Sequence, residues 1–256
     1  MTRIGLTGAA GDVGRELLDA FDGADEFRAF THSEHDDIDA ELLDVTDADE
    51  VRATLDDLDV VVHLAGASSV DADWETAVET NVRGTKHVLD AAVENGVDRV
   101  VFASSNHAVG AYNSGGATPE RMTEGAVRTV GADAPPRPDS LYGASKAACE
   151  ALTTLYADRE GLDVVNLRIG WYMSAADLRE VVDDAAPDEA RFARALWLGP
   201  ADCRDVHRKA ATADLPENPV TVNAVSRNDD RVHSIAETMR LLGYEPRENA
   251  AEALDD

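Results

Sequence analysis

The sequence predicts an α/β fold: a doubly wound parallel sheet followed by a small C-terminal lobe. Three observations predict it. Short apolar runs alternate with helical periodicity through the first 170 residues. The run Val60-Val61-Val62-His63-Leu64 is apolar without alternation, as a strand covered on both faces requires. A glycine cluster, Gly8 to Gly14, lies directly between the first apolar run and a helical segment. Together they define the Rossmann type of sheet, with right-handed crossovers.

In chain order, strands are expected at 3–7, 27–31, 40–43, 60–64, 99–104 and 164–169. Helices are expected at 13–21, 47–55, 74–95 and 141–159. Asp47 is a natural N-cap, while Gly96 and Gly161 are helix stops. Beyond Gly170 the pattern loosens. Helices are expected over 191–197, 202–212 and 234–242, with a strand at 220–225 returning to the sheet and an acidic tail over 249–256. The division that follows is a dinucleotide-binding core over 1–170 and a substrate-binding lobe over 171–256 that is not an independent domain. Gly, Pro and Ser clusters over 110–138 predict a loop over the site.

Composition sets bounds. The 256 residues are 44% hydrophobic, enough for one sizeable core. No apolar run approaches the ~18 residues of a membrane span. The first strand starts at once, so no signal peptide is expected and the protein is read as cytoplasmic. Cys149 and Cys203 make neither a disulfide framework nor a metal site, and no metal is expected. His87 and His207 read as surface residues. Asp and Glu number 51 against 23 Lys and Arg, a formal net charge of −28. Nucleic acid and acidic membranes are therefore poor partners. A folded chain with this charge suits a very salty cytoplasm, because at about 1 M salt the Debye length is roughly 3 Å. The melting temperature is expected to fall when salt drops from molar to millimolar; an unchanged value contradicts that account.

The glycine loop has the form G-x-x-G-x-x-G. Gly8 permits the turn, Gly11 allows close backbone approach, and Gly14 lets the helix pack on the strand. With Asp12 and Val13, they offer backbone N–H groups to a pyrophosphate. The second strand ends in Thr31-His32-Ser33 without the acid that binds the adenosine ribose in NAD enzymes. These residues, with Arg15, can donate to a 2′-phosphate, which favours NADP over NAD. Tyr142 and Lys146, at i and i+4, share one helix face, and an ammonium beside a phenol favours the phenolate. Ser105 ends the fifth strand, at the sheet edge where doubly wound folds bind ligands. Asn106, His107 and Ser68 are candidate substrate contacts.

These residues resemble an extended short-chain dehydrogenase/reductase. The marks are Gly8-x-x-Gly11-x-x-Gly14, Asp44-Val45, His63-Leu64-Ala65-Gly66, Asn81-Val82-Arg83-Gly84-Thr85, Ser104-Ser105, Tyr142-x-x-x-Lys146 and Leu167-Arg168-Ile169-Gly170. The resemblance implies a Ser105–Tyr142–Lys146 triad. It implies Asp44 and Val45 at the adenine, Leu64, Ala65 and Gly66 beside the ribose and phosphate, Ile169 at the cofactor, and Asn81 steadying the helix behind the site. It also implies pairing of subunits through the two long helices, as a dimer or higher homo-oligomer. Phe102 to His107, Arg137 to Gly143 and Arg168 to Gly170 are similar to the uronate dehydrogenase group, which includes haloarchaeal dehydrogenases of glucose 6-phosphate or L-arabinose. That implies oxidation of C1 of a cyclic sugar to a lactone. The arginine that uronate enzymes use for the carboxylate falls on Phe192 when Trp197 is the anchor, with Arg191 and Arg194 flanking it. A neutral aldose such as L-arabinose is favoured. The rival readings are a uronate or glucose-6-phosphate enzyme, a sugar epimerase or dehydratase, and a non-catalytic dinucleotide sensor.

Overall fold

The computed structural model describes residues 2–21, 24–114, 118–122 and 128–255. Met1, residues 22–23, Asp256 and residues 115–117 and 123–127 of the expected loop lie outside the described residues. The strands are β1 (Arg3–Thr7), β2 (Glu26–Thr31), β3 (Glu41–Leu42), β4 (Val60–His63), β5 (Arg99–Ser105), β6 (Asp163–Ile169), β7 (Trp171–Tyr172), β8 (Trp197–Leu198) and β9 (Val220–Ala224). Seven of them form one parallel sheet in the order β3-β2-β1-β4-β5-β6-β9, while β7 and β8 make a separate parallel pair. The order reverses between β1 and β4, and this opens a crevice at their carboxyl ends.

Side chains alternate across the sheet as the pleat dictates. Val60 and Val62 face one apolar layer with Leu6, Val101 and Val165. Val61 faces the other with Phe30, Val100 and Val164. The first layer is closed by α1 (Asp12–Leu17) and α8 (Pro200–Thr212), through Leu17, Val206 and Ala210. The second is closed by α2 (Ala48–Thr54), α4 (Gly84–Asn95) and α5 (Leu141–Glu160), through Val51, Val88, Leu89 and Ala157. Each large aliphatic side chain so enclosed contributes about 1.5–3 kcal/mol.

Several boundaries differ from the sequence reading. The first helix ends at Leu17, and the chain turns over 18–21 so that Leu17 and Phe21 both enter the core. The single long helix expected over 74–95 is three pieces: α3 (Trp74–Thr76), a π-helical segment Ala77–Arg83, and α4. The stretch 171–187 contains α6 (Ala175–Asp184), opened by a capping box in which Ser174 accepts from the Asp177 N–H. Then come α7 (Pro187–Leu196), longer than expected, and α9 (Ala236–Leu242). The acidic tail is in fact helical: α10 (Ala250–Asp255) buries Ala250, and Glu252 pairs with Arg227 at 2.8 Å.

Two histidines read as surface residues sit deeper than expected. His207 is fully buried, its Nδ1 2.8 Å from the Cys203 carbonyl oxygen, because α8 turns it inward. His87 is half-buried, with Nδ1 3.0 Å from the Val45 carbonyl oxygen. Cys149 and Cys203 are buried and free. No described helix is long and apolar enough to cross a membrane, and no described cluster of His, Cys, Asp or Glu has metal-site geometry.

Candidate active site

One cavity of about 760 Å³ runs along the carboxyl ends of β1, β2, β4 and β5. Its first end is the turn between β1 and α1. Gly8 has φ +73°, and a Cβ there would fall 2.6 Å from the Ala65 backbone nitrogen, so this turn accepts only glycine. A Cβ on Gly11 would meet nothing nearer than the Gly8 carbonyl oxygen at 3.5 Å. The protein has room for a side chain there, yet this stretch of cavity wall is bare backbone. Gly8, Gly11, Asp12, Val13 and Gly14 all line it.

The next stretch of wall is Thr31, His32, Ser33, Asp44 and Val45, joined by His35 and Thr46. Asp44 takes hydrogen bonds from the Thr46 hydroxyl at 2.7 Å and N–H at 2.9 Å, which hold its carboxyl below the usual range. Across from it, Leu64, Ala65, Gly66 and Ser68 follow β4. His63 fastens this loop to the glycine turn. Its Nδ1 lies 2.8 Å from the Thr7 hydroxyl and its Nε2 3.2 Å from Thr85, and burial pushes its pKa down to about 3, so it acts as a neutral strut.

At the far end Ser105, Asn106, His107, Tyr142 and Lys146 converge, with Ile169 beside them. Ser140 caps α5 by accepting from the Gly143 N–H at 3.0 Å. A Cβ on Gly143 would stand 2.3 Å from the His107 carbonyl oxygen. That close approach brings α5 against the turn Asn106–Ala108 and sets the Tyr142 ring 5.9 Å from the His107 ring, edge-on. Ser105 accepts from the His107 N–H at 3.2 Å and donates to the Asn106 Oδ1 at 3.2 Å. The Asn106 Nδ2 is buried without a partner among the described residues. Lys146 Nζ donates to the Ala103 carbonyl at 2.8 Å and lies 5.7 Å from the Tyr142 ring centre. Asp139, almost fully enclosed, faces the His107 Nδ1 with both oxygens, at 3.0 and 3.1 Å.

Arg15, an expected cofactor contact, stands off this wall, and so does Asn81, expected behind the site. Arg15 turns to Asp37 at 2.6 Å and to the Ala10 carbonyl, because a carboxylate lies within its reach. Asn81, in the π-helical segment, accepts from the Ala67 N–H at 2.7 Å and donates to the Ala67 carbonyl and the Ser145 hydroxyl. It braces the loop after β4 against α5 from behind. Glu120, Trp171 and Phe192, none of them expected to touch a ligand, are all on the wall. Phe192 stacks on His107 at 6.0 Å and meets Trp171 at 5.9 Å. The arginine register had pointed at Phe192, and Trp171 follows Gly170 directly. Glu120 sits in an aperiodic loop and left no signal.

The bare glycine wall, the acid and hydroxyls across the switch point, and the paired phenol and ammonium fit an extended dinucleotide with its reactive ring at the Tyr142 end. This is the architecture of a nicotinamide-cofactor oxidoreductase. Residues 4–188 match the NAD dependent epimerase/dehydratase family, and the chain belongs to that family. It is 45% identical to L-arabinose 1-dehydrogenase (NAD(P)(+)) of Haloferax volcanii, over 100% of both chains. It is 35% identical to NAD-dependent glucose-6-phosphate dehydrogenase of the same organism, over 96% of this chain and 94% of that one. Among solved structures it is similar to a mutant of uronate dehydrogenase from Agrobacterium tumefaciens complexed with NAD: TM-score 0.77, 28% identity, 98% of this chain and 87% of that one. The protein is an NAD(P)-dependent oxidoreductase of the extended short-chain type.

Proposed function

We propose that the protein oxidises C1 of a neutral cyclic aldose, L-arabinose or a sugar of its shape, to the lactone. One observation carries the choice of a neutral sugar: Phe192 stacks on His107 at the sugar end, and Lys146 is the only lysine or arginine on the described cavity wall. Lys146 already donates to Ala103. A uronate or a sugar phosphate would find no guanidinium there to pair with. The name of the Haloferax relative at 45% identity supports the same substrate.

In this reading Ser105, Asn106, His107 and Ser68 hold the sugar, with the C1 hydroxyl between Ser105 and Tyr142. Tyr142, as phenolate, takes the hydroxyl proton, and Ser105 turns its hydroxyl from the Asn106 Oδ1 to donate a hydrogen bond to the same oxygen. Lys146 steadies the negative oxygen of Tyr142 and reaches a ribose hydroxyl. His107, pinned by Asp139, presents its Nε2 edge in a fixed orientation. The bound NAD(P)+ supplies the hydride acceptor, and the chain's part is to align and deprotonate. Gly8, Gly11, Asp12, Val13 and Gly14 hold the pyrophosphate. Asp44 and Val45 hold the adenine, and Leu64, Ala65, Gly66 and Ile169 hold the nicotinamide half.

The tip of β2 carries Thr31, His32 and Ser33 with His35 close by, and no carboxylate of that tip lines the cavity. NADP+ is therefore the favoured cofactor, without help from Arg15. The parts of residues 171–256 outside α8, β9 and α9 act as the substrate lobe, and two copies pair through α4 and α5 in the cytoplasm.

A panel of neutral aldoses, uronates and sugar phosphates, each with NAD+ and NADP+ in molar salt, tests this. Net cofactor reduction is expected with L-arabinose, faster with NADP+. Turnover confined to a uronate or a sugar phosphate would contradict the substrate, and a preference for NAD+ would contradict the cofactor choice. Sedimentation of the same preparation as a monomer would contradict the pairing.

A further inference from the structure

Glu120 lines the cavity, and the reaction as derived has no use for it. The short segment that carries it is docked. Met122 is buried in an apolar cluster with Phe192 and Val232, and its N–H donates to the Asp188 carbonyl at 3.2 Å. Met122 also bridges to Ser114, and Arg121 lies 3.8 Å from Asp188 at the start of α7. Glu120 is thus fastened to the same helix that supplies Phe192.

The Glu120 carboxylate is half-buried and makes no hydrogen bond or ion pair among the described residues. Burial pushes its carboxyl up. His107 opposes that rise, while Glu189, Asp71 and Asp139 add to it. Glu120 and His107 line the same cavity. A partly desolvated carboxylate without a donor is unfavourable unless a ligand supplies one. Ionised, it is acceptor-only, so the matching ligand group is a hydroxyl. A substrate bringing a carboxylate or phosphate to the same end places like charges together. Molar salt screens the exposed acids of this chain over roughly 3 Å, but it acts less on a half-buried charge.

We propose that Glu120 is a specificity residue: it accepts hydrogen bonds from the hydroxyls of a neutral sugar and rejects anionic sugars. This rests on the reading of the cavity as a sugar C1-dehydrogenase site. Attraction to the right substrate and repulsion of the wrong one then come from a single side chain.

L-Arabinose and D-galacturonate share ring configuration and differ at C5, where one bears hydrogen and the other a carboxylate. The test measures kcat/KM for both, in molar KCl with saturating cofactor, for the wild type, Glu120→Gln and Glu120→Asp. Glu120→Ala replaces the glutamine variant if that one does not fold. Glu120→Gln is expected to raise the galacturonate-to-arabinose ratio by about 10-fold or more, the lower end of what a single pocket contact discriminates. Glu120→Asp, which keeps the charge, is expected to hold the ratio within about threefold of the wild type, well inside that span. A wild type that prefers L-arabinose, with a ratio unmoved by Glu120→Gln or Glu120→Ala, overturns this proposal alone. A wild type that prefers D-galacturonate, or that oxidises neither sugar, overturns the sugar reading and this proposal with it.

Discussion

Tyr142→Phe is expected to lower turnover by about two to four powers of ten, the usual worth of a positioned general base. The change removes one oxygen and leaves the ring. That ring packs edge-on against His107 and lies above Lys146, so the fold and the cavity stay as they are. Cofactor affinity, read by fluorescence titration, should change little, because the proposed cofactor contacts lie chiefly on the glycine turn and the loops after β2 and β4. The loss should therefore fall on kcat. Near wild-type turnover in this variant would remove Tyr142 from the chemistry. A large loss of cofactor affinity with kcat unchanged would make it a binding residue instead.

The second large effect is expected away from the cavity floor. Glu150, on α5, receives the Arg168 guanidinium on both carboxylate oxygens, each at 2.9 Å, and the Ser104 hydroxyl at 2.5 Å. Arg168 also donates to the carbonyls of Ala132 and Ala134, each at 3.2 Å. Both side chains are enclosed, at 4% and 8% exposure, so removing one charge strands the other away from water. Glu150→Leu should cost about 3–5 kcal/mol, the range for breaking a buried pair from one side. For a chain of this size that is a fall in melting temperature of roughly 6–20 °C. Activity should fall too, because the network joins the helix of Tyr142 to the strand residue next to Ser105 and to the 132–134 loop. Calorimetry in molar salt reads the stability. A shift of only a degree or two would mean that the pair is solvated and contributes little. Arg168→Met with Glu150→Leu, which removes both charges, should recover part of the loss.

The parallel sheet was legible because its strands are short, apolar and separated by helix-length segments. Val60 to Leu64 and Gly8 to Gly14 alone fix the switch point where the cavity opens. Most expected site residues lie on one wall because they sit at strand ends, where a doubly wound sheet leaves little freedom. What stayed hidden depends on non-local packing. The π-helical turn at Asn81 has the same composition as an α-helix, and only the pull of the Ala67 backbone on the Asn81 side chain marks it. Arg15 followed the nearest carboxylate, Asp37, and such choices among surface charges leave no periodic trace. The tail over 249–256 reads only as acidic, yet Arg227 and the Asn228 side-chain Oδ1, which accepts from the Ala250 N–H, hold α10 in place from a loop more than 20 residues away. Glu120 enters the cavity through the docking of Met122, a contact across chain segments that no single stretch of sequence encodes.

The most direct measurement follows the hydrogen on the anomeric carbon. L-Arabinose deuterated at C1 should deliver its label to C4 of the reduced nicotinamide, one per lactone formed, with a slowed rate in single turnover. Label kept on the sugar, or exchanged into water without accumulation of reduced cofactor, would contradict a phenol-assisted oxidation at C1.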